Sequence, residues 1–178
     1  MITVAWEPLS RLISDGLEDL AVQHHEEAEE GPIALALDVP QALAMEKAGI
    51  FKIAAVRKNG VLIGYADFMI TTPLHNVKTK TAFCQGLFVE PEARGAAGVK
   101  LLRFINCEMD RFDVKRTFIA SKFHVPLGAA KKSATLGRLL GHMGYRPSEV
   151  LHARLKGSRH EQRSKRPDAV PADRPSRR

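Results

Sequence analysis

The stretch LFVEPEARGAAG, residues 87–98, decides the fold that the sequence predicts. Apolar residues end a strand, Glu90-Pro91 makes a turn, and a helix begins among small residues. The first N–H groups of a helix have no partner within it, and the helix dipole adds positive potential there. The segment therefore predicts a site where backbone N–H groups bind a pyrophosphate and Arg94 adds a positive charge. The residues RGAAG alone are equally consistent with a tight strand-to-helix turn. The GxxxxGK[ST] and GxGxxG patterns are both absent.

The segments around this stretch predict a βαβ unit beside a hairpin. A strand over Thr79–Val89, a helix over residues 98–113 and a strand over Thr117–Phe123 imply parallel strands with a right-handed crossover. Upstream, Asn59-Gly60 between two apolar runs is a strong hairpin signal, with strands over Phe51–Lys58 and Val61–Thr71.

The outer segments complete the predicted order β-α-α-β-β-β-α-β-α-β. This order indicates an α/β fold whose mixed sheet carries helices on both faces. The outer predictions are a strand Ile2–Trp6, a helix from Pro8 to near Gly31 that Gly16 weakens without ending, a helix Pro40–Ala48, a helix Ser133–Met143 capped by Ser133, and a strand Tyr145–Leu155.

The positive charge is concentrated at the end of the chain. The net charge is +7, and residues 156–178 contribute eight Lys/Arg against three Asp/Glu. This segment is poor in large apolar residues, so we expect a domain over residues 1–155 and a disordered basic tail over 156–178. The tail is either a solvated appendage or an arm for nucleic acid.

Composition excludes several classes of protein. No apolar run is long enough for a membrane span, and no secretory signal is evident. The two cysteines, Cys84 and Cys107, exclude a disulfide framework and a Cys-based zinc site, and both are expected to be small core residues. We therefore expect a cytoplasmic protein without a membrane partner.

The predicted order and the Leu87–Gly98 loop together resemble the GNAT superfamily of N-acetyltransferases. Leu87, Val89 and Pro91 match the family's strand end, and Arg94 matches its first loop position. The segment LGRLLGHMGYRPSEVLHARL, residues 136–155, is similar to the family's helix-Gly-aromatic-strand ending, in particular to that of small GNAT-like proteins encoded by bacteriophages.

The resemblance implies acetyl-CoA as co-substrate and a sheet splayed between strands 79–89 and 117–123. It places the pantetheine arm along the first of these strands and the pyrophosphate on backbone N–H groups beside Arg94. The N–H near Leu87 would stabilise the oxyanion. The implied cofactor-binding residues are Leu87, Phe88, Val89, Arg94, Gly95, Ala96, Ala97, Gly98, Val99 and Lys100.

The implied activity is acetyl transfer to a primary amine by direct attack, with an unidentified amine-bearing acceptor. The alternative is a catalytically weak or inactive GNAT-fold protein that binds CoA, a host partner or nucleic acid. A homodimer is left open.

The chain departs from the family pattern at several positions. Ala97 stands where glycine is usual, and Val99 where glycine or alanine is usual, unless the loop is one residue shorter. Phe83 occupies the register of a glutamate base, and Leu140 that of a tyrosine acid, which leaves proton transfer unassigned. Two other residues could take part in proton transfer: His124, after the second parallel strand, and Asp67, the only charged residue in its strand. For each of them, a purely structural role is the alternative.

Two further features have more than one interpretation. HHEEAEE, residues 24–30, offers metal-like spacing, but three convergent ligands are not evident, so no metal is predicted. A solvated helix end is favoured, or an acidic lip for a cationic amine, since the family's first helices wall the acceptor side. Tyr145 is expected to fill the core.

Overall fold

A computed structural model of the chain describes residues 1–28, 33–120 and 130–148. Residues 1–146 form one compact unit. The predicted domain boundary at residue 155 lies outside the described part. The elements are β1 Ile2–Trp6, α1 Leu9–Ser14, α2 Leu17–Ala28, α3 Val39–Lys47, β2 Phe51–Lys58, β3 Val61–Thr71, β4 Thr81–Val89, a 3-10 turn Pro91–Ala93, α4 Ala96–Arg111, β5 Arg116–Phe118 and α5 Ala130–His142.

The five strands of the described residues form one mixed sheet in the order β1-β2-β3-β4-β5. The first three pairings are antiparallel, and β4 pairs with β5 in parallel. The β2–β3 hairpin turns at Asn59 and Gly60, which both have positive φ, as the Asn-Gly signal predicts. The sheet confirms the predicted mixed α/β architecture.

Helices cover both faces of the sheet, and each face has its own apolar core. On one face α4 packs Leu101 and Ile105 against Phe68 of β3. On the other face Leu12 of α1 and Leu20 of α2 pack against Tyr65 of β3. β3 is therefore covered on both sides, which its apolar sequence predicts.

The first predicted helix is two helices, because Gly16 ends the first one. Gly16 has a φ of +93°, which lies outside the helical region and which a glycine adopts without steric cost. The expectation that Gly16 only weakens this helix is therefore wrong.

Predicted boundaries in the C-terminal part of the domain also differ. α5 already begins at Ala130, so Ser133 lies inside the helix and is not its N-cap. β5 ends at Phe118, and the described residues up to Ala120 are not strand; residues 121–123 lie outside the described part. Tyr145–Ser148 also lack strand structure, and residues 149–155 lie outside.

The two cysteines do not both belong to the core. Cys84 is partly buried against the α4 core, but Cys107 is exposed, because it lies on the outer side of α4.

None of the described helices is long and apolar enough to cross a bilayer.

Candidate active site

The sheet opens between its two parallel strands. β4 and β5 pair only at Thr81/Arg116, Ala82/Thr117 and Phe83/Phe118. β4 then continues to Val89 without a neighbour on that side among the described residues. The free edge of β4 leads directly, through the Pro91–Ala93 turn, to the N-terminus of α4.

The N-terminus of α4 presents a group of backbone amides that no side chain caps. Gly95 is the N-cap residue and has no side-chain cap, while the Val99 N–H donates to the Gly95 carbonyl at 2.9 Å. The amides of Ala96, Ala97 and Gly98 therefore have no intrahelical acceptor. A Cβ added at Gly95 or Gly98 would meet no atom within 4 Å, so the space around these amides is open.

The side chains of this loop have other contacts. The Ala97 methyl group is fully buried in the α4 core, which explains a small residue there. The Lys100 ammonium donates to the Ile2 carbonyl of β1. The backbone N–H groups of Val99 and Lys100 belong to the regular i to i−4 ladder of the helix, so the three preceding amides remain for a phosphate.

Arg94 lies beside these amides but is held by other groups. Its Nε donates to the Val89 carbonyl at 2.9 Å, and its two terminal nitrogens bind both carboxylate oxygens of Glu27 on α2. The guanidinium also lies over the Phe88 ring, 5.6 Å from its centroid. A bound diphosphate would have to share Arg94 with Glu27.

A β-bulge interrupts β4 in the middle of its free edge. Asp67 of β3 lies opposite Gly86 and Phe68 lies opposite Cys84, so Gln85 has no partner in β3. Bulges redirect a strand and are frequent beside active sites. Beyond the bulge, Leu87 packs toward α4 and Phe88 toward α1 and α2, which leaves their backbone to form the edge.

Asp67 is a partly buried carboxylate beside this bulge. Its Oδ1 is inaccessible to solvent and has no hydrogen-bond partner in the described part of the chain. Burial raises the pKa of Asp67 to about 6, and the backbone N–H groups of Gly86 and of Asp67 itself oppose that rise only in part. A buried polar atom without a partner is costly, and such groups cluster at functional sites.

His24 and Tyr65 surround Asp67 on the same face of the sheet. His24 Nδ1 and the Tyr65 hydroxyl are 2.8 Å apart, and the His24 imidazole stacks on Phe88 at 5.4 Å. Burial, and then the Asp67 charge, raise the pKa of Tyr65. Sequence reasoning did not assign His24 to this site, although its helical spacing from Leu17 and Leu20 places it on the inner face of α2.

The backbone of Gly86 lies against this group. A Cβ at Gly86 would lie 2.6 Å from Asp67 Oδ1 and 3.1 Å from Tyr65 Cε2. Since both distances are shorter than normal contacts, only glycine lets β4 approach the two side chains this closely.

Two cavities meet at Asp67. The bulge cavity, about 210 Å³, is lined by residues that include His24, Gln85 and Gly86. The apolar cavity, about 170 Å³, is lined mainly by side chains of α1, α2, α3 and β2. Both cavities are bordered by Ala21, Leu37, Tyr65 and Asp67.

The other candidate residues are not part of this group. His124 lies outside the described residues, so its role stays a prediction. Tyr145 packs against the α4 core and donates to Asn106 Oδ1 at 2.7 Å, and burial raises its pKa to about 12. Phe83 stacks on Phe118 at 4.9 Å, and Leu140 is buried. Neither position supplies a titratable group.

The segment HHEEAEE is described only as far as Ala28. Glu27 pairs with Arg94, and His25 contacts the Ile33 carbonyl at 2.8 Å. Within the described ranges, no group of three or more His, Cys, Asp or Glu side chains is arranged to hold a metal ion.

Comparison with known proteins identifies the fold. No protein-family model and no curated protein matches the sequence. Among solved structures, a ribosomal-protein-alanine N-acetyltransferase from Brucella melitensis biovar Abortus 2308 matches with a TM-score of 0.65 and 14% identity, over 88% of this chain and 97% of that one. The chain has the fold of the GNAT acetyltransferases.

Two other GNAT-fold structures match over similar lengths. An aminoglycoside acetyltransferase from an uncultured soil metagenomic sample matches with a TM-score of 0.65 and 12% identity, over 87% of this chain and 97% of that one. Glucosamine-6-phosphate N-acetyltransferase from Arabidopsis thaliana matches with a TM-score of 0.59 and 10% identity, over 87% and 98%. At these identities the likeness concerns the GNAT fold alone.

Proposed function

We propose that the chain is an acetyl-CoA-dependent N-acetyltransferase that acetylates a primary amine by direct attack. The observation that carries the proposal is the free edge of β4, which within the described ranges is unpaired beyond Phe83 on the β5 side and ends at an uncapped helix N-terminus. Acetyl-CoA has amide groups along its arm and a diphosphate at one end, so it is complementary to a strand edge followed by helix amides.

The residues present fit this co-substrate. The backbone of Leu87, Phe88 and Val89 would bind the arm, and the amides of Ala96, Ala97 and Gly98 would bind the diphosphate. Arg94 would add a positive charge once the anion competes with Glu27 for its guanidinium. Bound acetyl-CoA supplies an acetyl thioester as the electrophile.

Asp67 is the proposed base. An ammonium must lose its proton before it attacks a thioester, and a general base has the best balance of ionisation and basicity when its pKa lies near the working pH. With a pKa of about 6, Asp67 is largely ionised at neutral pH and borders both cavities. The Asp67 carboxylate would take one proton from the ammonium. The amine nitrogen would then form the new amide bond as the carbon–sulfur bond breaks, and its second proton would pass to the leaving thiolate, which departs as the thiol.

Calorimetric titration with acetyl-CoA tests the binding half of the proposal. We expect binding by the parent chain and none by Gly98→Trp, because the open space at Gly98 accommodates the indole, which then covers the amides. Ala44→Trp, on the exposed face of α3, is the matched control and should bind like the parent. Absence of parent binding at high micromolar acetyl-CoA would refute the proposal.

A transfer assay tests the catalytic half. Mass spectrometry of a panel of amines incubated with acetyl-CoA should reveal an acetylated product that the parent chain forms and Asp67→Asn forms at least about 100-fold more slowly, the usual contribution of a general base. Binding of acetyl-CoA without any transfer would instead favour a CoA-binding module.

A further inference from the structure

The acceptor side of the site has a definite chemical character. We propose that the apolar cavity selects a primary amine that carries an apolar group about the size of one ring, with its ammonium on Asp67. This inference rests on the proposed function for its role in catalysis, but the cavity and the carboxylate can be tested by binding alone.

The walls of the apolar cavity favour an amine whose carbon skeleton is apolar. They include Leu9, Ile13, Leu17, Val39, Phe51 and Ile53. An apolar cavity of about 150 Å³ is large enough to hold benzene, and this one is about 170 Å³. A polyamine or an aminosugar would have to bury polar groups against these walls without hydrogen bonds, which is unfavourable.

The charged side chains around the cavity favour a positively charged head group on the bound molecule. Asp67 lies where the apolar cavity meets the bulge cavity, and its Oδ1 is buried without a hydrogen-bond partner in the described part. The other charged lining groups of the apolar cavity, Glu18 and Asp38, are exposed carboxylates. No lysine or arginine is among the described residues that line either cavity. The described lining carboxylates therefore contribute a negative potential, which favours a cation.

The position of Asp67 also fixes the direction of the amine. The bulge cavity contains Gln85 and Gly86 of the free β4 edge, where the thioester would lie. An ammonium on Asp67 would face that edge while its apolar group occupies the other cavity. The selectivity then comes from side chains of α1, α2, α3 and β2, and not from the amides that bind the diphosphate.

Calorimetry with 2-phenylethylamine, on the full chain without acetyl-CoA, tests this assignment. We expect 2-phenylethylamine to bind about tenfold or more tightly than ethylamine or spermidine, because burial of one ring is worth at least that factor. Equal affinity for all three amines, or tighter binding of spermidine, would overturn the inference.

Two pairs of variants separate the ammonium contact from the apolar contact. Asp67→Asn should lose 2-phenylethylamine binding, while Asp113→Asn, the same change at an exposed positive-φ position, should keep it. Ala42→Phe should fill the cavity and exclude the ring, while Ala44→Phe on the exposed side of the same helix should not. A folded Asp67→Asn protein that binds the amine like the parent would contradict the proposal.

Two further measurements identify the source of the amine and distinguish this proposal from the proposed acetyl transfer. An amidated tripeptide with N-terminal leucine that binds more tightly than 2-phenylethylamine would place the apolar amine at a peptide terminus. If acetyl-CoA binds but the apolar amine has no advantage, only this inference fails. If the apolar amine binds as expected and acetyl-CoA does not bind, the proposed acetyl transfer fails and the amine site remains.

Discussion

Asp67 places a carboxylate in a position where its charged form makes the folded protein less stable than an uncharged side chain would. Its pKa in the folded protein is about 6, against an ordinary value of 3.8, because burial disfavours the charged form. The folded chain therefore binds this proton more tightly than the unfolded chain. Stability is highest while the group is protonated and falls as the pH rises from about 4 to about 6.

Removal of this charge should therefore stabilise the protein at neutral pH. We expect Asp67→Asn to raise the free energy of unfolding by on the order of 2 kcal/mol at about pH 7.5 and to have little effect at about pH 4. The nearby Tyr65 and Cys84 have raised pKa values and stay neutral across this range. Urea unfolding at both pH values measures the difference. Equal effects at both would contradict the role of ionisation.

Ionisation of Asp67 should increase the activity, although it decreases the stability of the folded protein. If Asp67 is the base, kcat/KM increases as the pH rises through about 6, where the carboxylate ionises. Stopped assays across this range, at saturating acetyl-CoA, measure the profile. A profile that is flat across this range would remove Asp67 from proton transfer, although its effect on stability would remain.

The Arg94–Glu27 ion pair predicts a change in the affinity for acetyl-CoA. Both side chains are about one-third exposed, and such pairs contribute about 1 kcal/mol or less. Glu27→Gln should free Arg94 and remove a negative charge from the diphosphate site, so acetyl-CoA affinity should increase about two- to fivefold. Glu26→Gln, its exposed neighbour, is the control in calorimetry. Weaker binding by Glu27→Gln would show that Glu27 helps to hold Arg94 in its binding position.

At the scale of elements, the bulge in β4 positions the site. Gly86→Ala would place a methyl group 2.6 Å from Asp67 Oδ1, and relief of that overlap requires movement of β4 or of Asp67. We expect a loss of about 1–3 kcal/mol in unfolding free energy, with a fall in kcat that exceeds any change in acetyl-CoA affinity. Gly137→Ala, at a helical position with open space, should behave like the parent. Unchanged kcat in Gly86→Ala would separate the bulge from catalysis.

Much of this element order follows from the sequence, whereas the site follows only in part. Asn59-Gly60, the apolar run of β3 and the Pro91–Gly98 turn are local signals, and each predicts its element correctly. The bulge at Gln85 has no such signal, because it arises from the pairing of β4 with β3. The same pairing brings Gly86 to Asp67, so the sequence proposes the carboxylate as a candidate but not its neighbours His24 and Tyr65. The break at Gly16 depends on how α1 and α2 pack, which helix propensity alone does not determine.

At the scale of the whole molecule, the sheet separates two tasks. The α4 face and the free edge of β4 present backbone amides, which suit a co-substrate common to many enzymes of this fold. The α1–α3 face presents apolar walls and carboxylates, which suit a particular acceptor. Under the proposed function, the choice of acceptor would depend on the side chains that line the second face, since a fold does not determine the function that it hosts.

We propose that acetyl-CoA lies along the free edge of β4 and on the first amides of α4. Amide hydrogen exchange, measured with and without saturating acetyl-CoA, tests this placement residue by residue. We expect slower exchange at Ala96, Ala97 and Gly98 and along Cys84–Val89, with little change in the β2–β3 hairpin. Unchanged exchange at both of these segments, with acetyl-CoA bound elsewhere or not at all, would refute this placement.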